Sequence, residues 1–91
     1  FETKEQNKAR RPFNLKTKDF IIDTSFTPDT GAWETGIKAI NFNNMWIIVS
    51  QYETKEQARK GHNKWIKYMR TNPLTLYDIF QDKEIGISLV D

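Results

Sequence analysis

The sequence predicts a small α+β protein, in which one amphipathic helix covers a small antiparallel sheet made of a hairpin plus one or two further strands. Two β-favouring segments, 33–42 and 45–51, predict the hairpin. The next segment, 52–70, has the periodicity of a helix and a capping pattern near its start. The 91 residues suffice for one domain. We therefore expect a basic flexible arm at 1–18 and a single α+β domain at 19–91.

The hairpin is predicted by alternation in its first strand, by β-branched and aromatic residues in its second, and by the turn between them. Alternation in 33–42 places Trp33, Thr35, Ile37 and Ala39 on one face. Segment 45–51 is rich in Trp, Ile and Val, which favour strands. Asn43 and Asn44 tolerate left-handed backbone geometry and predict a tight turn between the two strands.

Further strands are predicted on both sides of this hairpin. Residues 19–26 are β-favouring, and the Thr-Pro-Asp-Thr-Gly stretch at 27–31 predicts the turn that follows them. Apolar residues alternate within 84–90, which favours a strand; a short helix interrupted by Gly86 is the alternative. The segment 74–80 is apolar at irregular spacing and predicts no particular element.

The helix has defined signals at both ends. Thr54 is a good N-cap residue, and Gln57 three positions later completes a capping-box pattern. Glu56 in the first turn suits the positive end of the helix dipole. The helix should end before Pro73, because a residue that precedes proline is pushed out of helical geometry.

The two faces of this helix differ in kind. At 100° per residue, the apolar face consists of Ala58, Gly61, His62, Trp65, Tyr68 and Met69. We expect a structural role for most of that face together with the cap and one hairpin aromatic, namely Trp33, Thr54, Ala58, Gly61, His62, Trp65 and Met69. Trp46 is likewise expected to pack in the core or on the hairpin. The remaining sides carry Lys55, Arg59, Lys60, Lys64, Lys67 and Arg70.

Positive charge is concentrated in two segments, although the formal net charge is only +2. Residues 1–18 carry +4 and the helix carries +5, whereas 19–53 carries −4 and 71–91 carries −3. Such segmental asymmetry favours contact with an acidic partner. The candidate partner-binding residues are Lys4, Lys8, Arg10 and Arg11 in the arm, with Lys55, Arg59, Lys60, Lys64, Lys67 and Arg70 on the helix.

Residues that carry chemistry are scarce, so we expect no enzyme, no cofactor, no metal site and no catalytic residue. The chain has no cysteine, and the single histidine, His62, lacks further imidazole or thiolate ligands for a metal. Nucleophile and phosphate-binding motifs do not occur. The apolar run 45–49 is far too short to cross a membrane, and no secretory signal pattern is found. Because Phe1 stands where an initiator Met is usual, we expect residues upstream of it.

Residues 32–91 resemble a group of small proteins encoded by tailed bacteriophages. The resemblance lies in the Trp-Glu-Thr at 33–35, the strand 46–49 and the helix pattern Y-x-T-x-x-x-A-x-x-G-H-x-x-W that begins at Tyr52. Gln57 and Ile66 depart from the usual acid and valine of that pattern. The resemblance implies a phage origin, a compact α+β fold and a role in the virion or in its assembly.

Three functional hypotheses follow. The first is a non-enzymatic phage protein that contacts other phage proteins, located in the virion or in the host cytoplasm. The second is nucleic-acid binding through the basic helix face and the arm. The third is a phage inhibitor of a host protein.

Overall fold

An antiparallel sheet of four strands, paired in chain order, is the base of the fold in the computed structural model, which describes residues 12–40 and 45–87. Its strands are β1 (Phe13–Lys16), β2 (Phe20–Thr27), β3 (Ala32–Ala39) and β4 (Trp46–Tyr52). A helix, α1 (Lys55–Met69), packs on one face of this sheet. A second, two-stranded sheet is formed by β5 (Thr75–Asp78) and β6 (Lys83–Gly86). The predicted α+β class is therefore confirmed.

The predicted strand at 19–26 and the turn after it are confirmed. The β2–β3 register pairs Ile22 with Ile37 and Thr24 with Thr35, so these residues share the face under α1. At the turn, the N–H of Gly31 donates to the Thr27 carbonyl at 2.9 Å. Gly31 has a φ of 68°, a left-handed conformation that glycine adopts without a steric penalty.

The predicted hairpin is confirmed as the antiparallel pair β3–β4, while its Asn43-Asn44 turn lies outside the described residues. The register shifts within it, because Thr35 pairs with Ser50 and Gly36 pairs with Ile48. This bulge leaves Val49 without a partner in the ladder, and Val49 is buried in the core.

The arm prediction was wrong for four of its residues, since Phe13–Lys16 form strand β1 at the sheet edge. The two apolar residues of this strand, Phe13 and Leu15, are half-buried, while Asn14 and Lys16 between them are exposed. Pairing with β2 satisfies the backbone groups of β1 that face β2, and this pairing outweighs the charged composition of the surrounding sequence. Residues 1–11 lie outside the described residues.

The helix prediction is confirmed at both ends. The Thr54 hydroxyl accepts from the Gln57 N–H at 3.1 Å, and the Gln57 side chain accepts in return from the Thr54 N–H at 3.3 Å. The capping box is thus complete. After Met69, Asn72 turns into the left-handed region with a φ of 56° and precedes Pro73.

The β5–β6 hairpin was not predicted as a whole, although β6 confirms a strand at the start of 84–90. Its turn depends on Asp78, whose Oδ1 accepts from the N–H groups of Phe80 and Gln81, each at 2.9 Å. The N–H of Ile79 donates to the Ile48 carbonyl of β4 at 2.9 Å. This bond attaches the hairpin to the edge of the larger sheet, beside α1.

The core lies between the larger sheet, α1 and the hairpin. It consists of Phe20, Ile22, Ile37, Ala39, Ile47, Val49, Met69, Leu76 and Ile87. Most of these residues come from the sheet, whereas Met69 comes from the last turn of α1 and Leu76 from β5. The core therefore holds three separate segments of chain together, and it does so mainly by burying apolar surface.

Close approach of α1 to β4 depends on the absence of a side chain at Gly61. A Cβ there would overlap the hydroxyl and ring carbons of Tyr52. Gly61→Ala should therefore lower the free energy of unfolding by about 1–3 kcal/mol, although Ala is the better helix former by about 1 kcal/mol. Urea unfolding measures this change.

Two controls isolate the cause of that effect. Gly86→Ala adds a Cβ where no atom lies within 4 Å, so it should change stability by less than about 1 kcal/mol. In a Tyr52→Ala background, Gly61→Ala should no longer destabilise the protein. An equal loss in both backgrounds would contradict the proposed contact.

Candidate functional site

A chain of hydrogen bonds runs through the interior between the sheet and α1. The Tyr52 hydroxyl lies 3.1 Å from the Thr35 hydroxyl, which lies 2.7 Å from the Thr24 hydroxyl. The Thr24 hydroxyl in turn lies 2.8 Å from Nδ1 of His62. We call these four residues the buried hydrogen-bond chain. It satisfies two fully buried threonine hydroxyls, which would otherwise be costly to remove from water.

His62 lies on the buried side of α1 and packs against the sheet. Its side chain is only 5 % exposed, and its ring lies 5.8 Å from that of Phe13 in β1. Burial lowers the pKa of His62, and the negative charge of Asp23 partly opposes this effect. The neutral imidazole is thus the form that suits its site, as expected for a packing histidine.

The basic side chains predicted on the helix are all exposed, but they do not form one uniform surface. Lys60, Lys64 and Lys67 follow one another at i, i+4 and i+7, and we call them the basic stripe. Within 12–40 and 45–87, none of these three lies in a salt bridge, whereas Arg59 pairs with Glu56. That pairing lowers the pKa of the exposed Glu56 carboxyl.

The other predicted helix cations lie near the two ends of α1. Lys55 is at the first turn of α1 and Arg70 at its C-cap. The arm residues Lys4, Lys8, Arg10 and Arg11 lie outside the described residues. Of the candidate partner-binding residues, the described structure thus brings three together along one side of the helix.

A groove runs between α1 and the β5–β6 hairpin, and sequence analysis did not predict it. It has a volume of about 450 Å³ and is lined by Lys64, Trp65, Tyr68, Thr75, Leu76, Tyr77 and Glu84. We call it the α1–hairpin groove. Lys64 of the basic stripe forms part of its helix side, so the groove and the stripe are continuous.

The helix wall of the α1–hairpin groove is held in place by specific contacts. The Trp65 Nε1–H donates to the Ser50 hydroxyl of β4 at 3.0 Å. The Tyr68 ring lies edge-on to Trp65, with ring centroids 5.5 Å apart and an angle of 86° between the planes. These contacts explain why Trp65 is only half-buried: one edge joins the core and the other faces the groove.

Several large apolar residues of α1 and of the segment around β5 are exposed. Leu74 is 81 % exposed and Phe80 is 55 % exposed, and both belong to the segment around β5. Tyr77 and Tyr68 are also exposed. The irregular spacing of 74–80, which predicted no element, arises because only Leu76 and Asp78 of β5 point into the protein.

The face of the larger sheet opposite α1 bears its own groove, lined in part by Asp23, Glu34 and Trp46. Glu34 is only 8 % exposed, and each of its carboxylate oxygens accepts a hydrogen bond. One accepts from the Thr27 hydroxyl at 3.1 Å and the other from the Gln51 amide at 2.8 Å. This carboxylate thus has a structural role in holding β2, β3 and β4 together.

Trp46 packs on the hairpin but does not join the core. Its ring lies across Gly36, and Lys38 stands over it at 5.7 Å from the ring centroid. The side chain remains 43 % exposed, so the core alternative for this residue was wrong. Alternation along β4 explains its exposure, because Trp46 points to the face opposite that of the buried Ile47 and Val49.

No group of three or more His, Cys, Asp or Glu residues able to hold a metal occurs within 12–40 and 45–87. None of the helices in these ranges has the length and apolar character needed to cross a membrane.

No protein-family model matches the chain, and no curated protein or solved structure matches it either.

The lowered pKa of His62 predicts a pH dependence of stability. Between the ordinary histidine pKa of about 6.5 and the lower value in the folded state, the unfolded chain binds more protons than the folded one. The free energy of unfolding should therefore be highest above that range and fall as the pH falls through it. Urea unfolding from about pH 7.5 to pH 5 measures this slope.

The contribution of His62 is isolated by a variant that does not titrate there. His62→Asn retains a polar group near Nδ1 and should have a shallower slope than the natural protein over this range. Carboxylate titrations are common to both proteins and cancel in the difference. Identical slopes would mean that His62 titrates in the same way in both states.

Proposed function

We propose that this chain is a non-enzymatic protein of a tailed bacteriophage that acts through protein–protein contacts, as a component of the virion or in its assembly. The observation that carries the proposal is the α1–hairpin groove, in which aromatic side chains face solvent directly beside the basic stripe. The resemblance of residues 32–91 to small phage proteins supports the biological setting. Other phage proteins are the proposed partners.

The composition of this surface is typical of a protein interface. Trp and Tyr are enriched at the centres of such interfaces, because they bury a large area with few rotatable bonds. Here Trp65, Tyr68 and Tyr77 contribute that area, and charged residues stand at the edges of the groove. Leu74 and Phe80 extend the exposed apolar surface along the hairpin.

The residues best suited to catalysis are engaged in holding the fold. His62 is buried against the sheet with Nδ1 bonded to Thr24, and the carboxylate of Glu34 accepts two hydrogen bonds. A general acid or base needs access to its substrate, which the buried imidazole of His62 lacks, and the Glu34 carboxylate is already hydrogen-bonded through both oxygens. Their contacts support a non-enzymatic role.

The proposal predicts that the chain is part of the particle. Virions of the encoding phage, purified and treated with nuclease, should contain its peptides when analysed by mass spectrometry. Replacing both Tyr68 and Tyr77 by Ser should lower the amount retained by about tenfold or more, because it removes two interface anchors. Met45→Ser changes an exposed apolar residue elsewhere and should have little effect. Absence of the natural chain from particles would contradict the proposal.

Nucleic-acid binding is the second candidate, and the exposed basic stripe is the observation that favours it. If the helix and the arm together neutralise six phosphates of B-form DNA, the log–log dependence of affinity on salt should have a slope of about −5. Replacing Lys60, Lys64 and Lys67 by Gln should make this slope shallower by about 3. Gel-shift titrations at several salt concentrations measure it, and no shift at low salt excludes this function.

A further inference from the structure

We infer that the α1–hairpin groove binds an acidic, extended segment of a partner protein, with one apolar side chain of that segment inserted between Trp65, Tyr68 and Tyr77. The inference rests on the proposed function, which requires protein contacts, and it specifies the chemistry of the partner. Three features of the groove lead to it: a preorganised aromatic wall, an open shape, and a one-sided distribution of charge.

The aromatic wall is in place before any partner arrives. Trp65 is held by its hydrogen bond to Ser50, and Tyr68 is held edge-on against Trp65. Binding then orders few side chains, which lowers the entropic cost of association. Beneath these rings, the buried Leu76 provides an apolar base for the groove.

The shape of the groove fits a chain segment. Its volume of about 450 Å³ is open to solvent instead of being enclosed, as a site for a small molecule would be. On the hairpin side it is bounded by Thr75 and Tyr77, neighbours on the outward face of β5. An extended peptide presents side chains to alternate sides, so one side chain can enter the groove while its neighbours face the walls.

The charge of the walls selects an acidic segment and orients it. On the helix side Lys64 lines the groove and is the i, i+4 neighbour of Tyr68, and the other two lysines of the basic stripe lie next to Lys64 on α1. Glu84 stands on the hairpin side. Acidic residues of the partner are therefore attracted to the helix side and repelled from the hairpin side.

The same features disfavour a nucleic acid in this groove. Tyr68 lies at 86° to Trp65, so the two rings do not form one flat platform on which a base could stack across both. Glu84 would in addition repel a phosphate backbone. An acidic peptide avoids the first problem, because its apolar side chain fills the space between the rings without stacking on them, and its carboxylates can lie on the helix side, away from Glu84.

The test uses the full chain and synthetic peptides, with NMR of the tryptophan indole groups as the readout. A short Glu-rich peptide with one central Leu should shift the Trp65 indole resonance and leave Trp46 unaffected. We expect a Kd of about 100 μM, as befits one buried side chain and exposed ion pairs. Matched peptides with Ser in place of Leu, or with Lys in place of Glu, should bind at least about tenfold more weakly.

Variants of the chain separate the groove from general electrostatics. Lys64→Glu combined with Lys67→Glu should weaken binding of the acidic peptide about tenfold. Lys16→Glu combined with Lys18→Glu makes the same change of charge at exposed positions near β1, so affinity should stay within about twofold. All four positions are exposed, so each variant should fold.

Several results would overturn the inference. They are absence of a Trp65 shift at millimolar peptide, equal weakening by the two variant pairs, or stronger binding of a single-stranded oligonucleotide at the groove. A Trp65 shift that depends on protein concentration without peptide would assign the groove to a second copy of the chain. If any of these results is found and the chain is nevertheless present in virions, the inference fails while the proposed function stands. If the peptide binds but the chain is absent from virions, the inference stands while the proposed function fails.

Discussion

The contact between the Tyr52 ring and the bare backbone at Gly61 determines where α1 lies on the sheet. Because no side chain intervenes, the helix comes close enough for His62 to reach Thr24, and Tyr52 closes the other end of the same chain through Thr35. A fully satisfied polar network of this kind favours one orientation of the helix over others that an apolar interface would tolerate. The rotation of α1 about its own axis follows from these contacts.

That rotation decides the character of the outer surface. With His62 directed at the sheet, the helical period places the basic stripe toward solvent and Trp65 at the boundary between core and exterior. The hairpin then completes the arrangement, since Ile79 bonds to Ile48 and Leu76 joins the core beside Met69. The α1–hairpin groove therefore forms between two elements that pack on the core through separate contacts.

A few side chains depart from the usual distribution, in which polar groups are exposed and apolar groups are buried. His62 and Glu34 are buried and hydrogen-bonded, where they hold elements together. The large apolar residues Leu74, Tyr77 and Phe80 are exposed, where they contribute nothing to the core. These exposed apolar side chains support the proposed contact with a partner protein.

The sequence by itself determined the elements whose causes are local. The capping box at Thr54, the end of α1 before Pro73 and the alternation in β3 depend on near neighbours in the chain, so each was predictable, as was the division of α1 into a packing and a basic side. Only the tertiary structure decided that Phe13 and Leu15 form an edge strand, that Trp46 stays exposed beside a bulge, and that β5 and α1 enclose a groove. These outcomes depend on pairing and packing between segments distant in the chain, which no local pattern encodes.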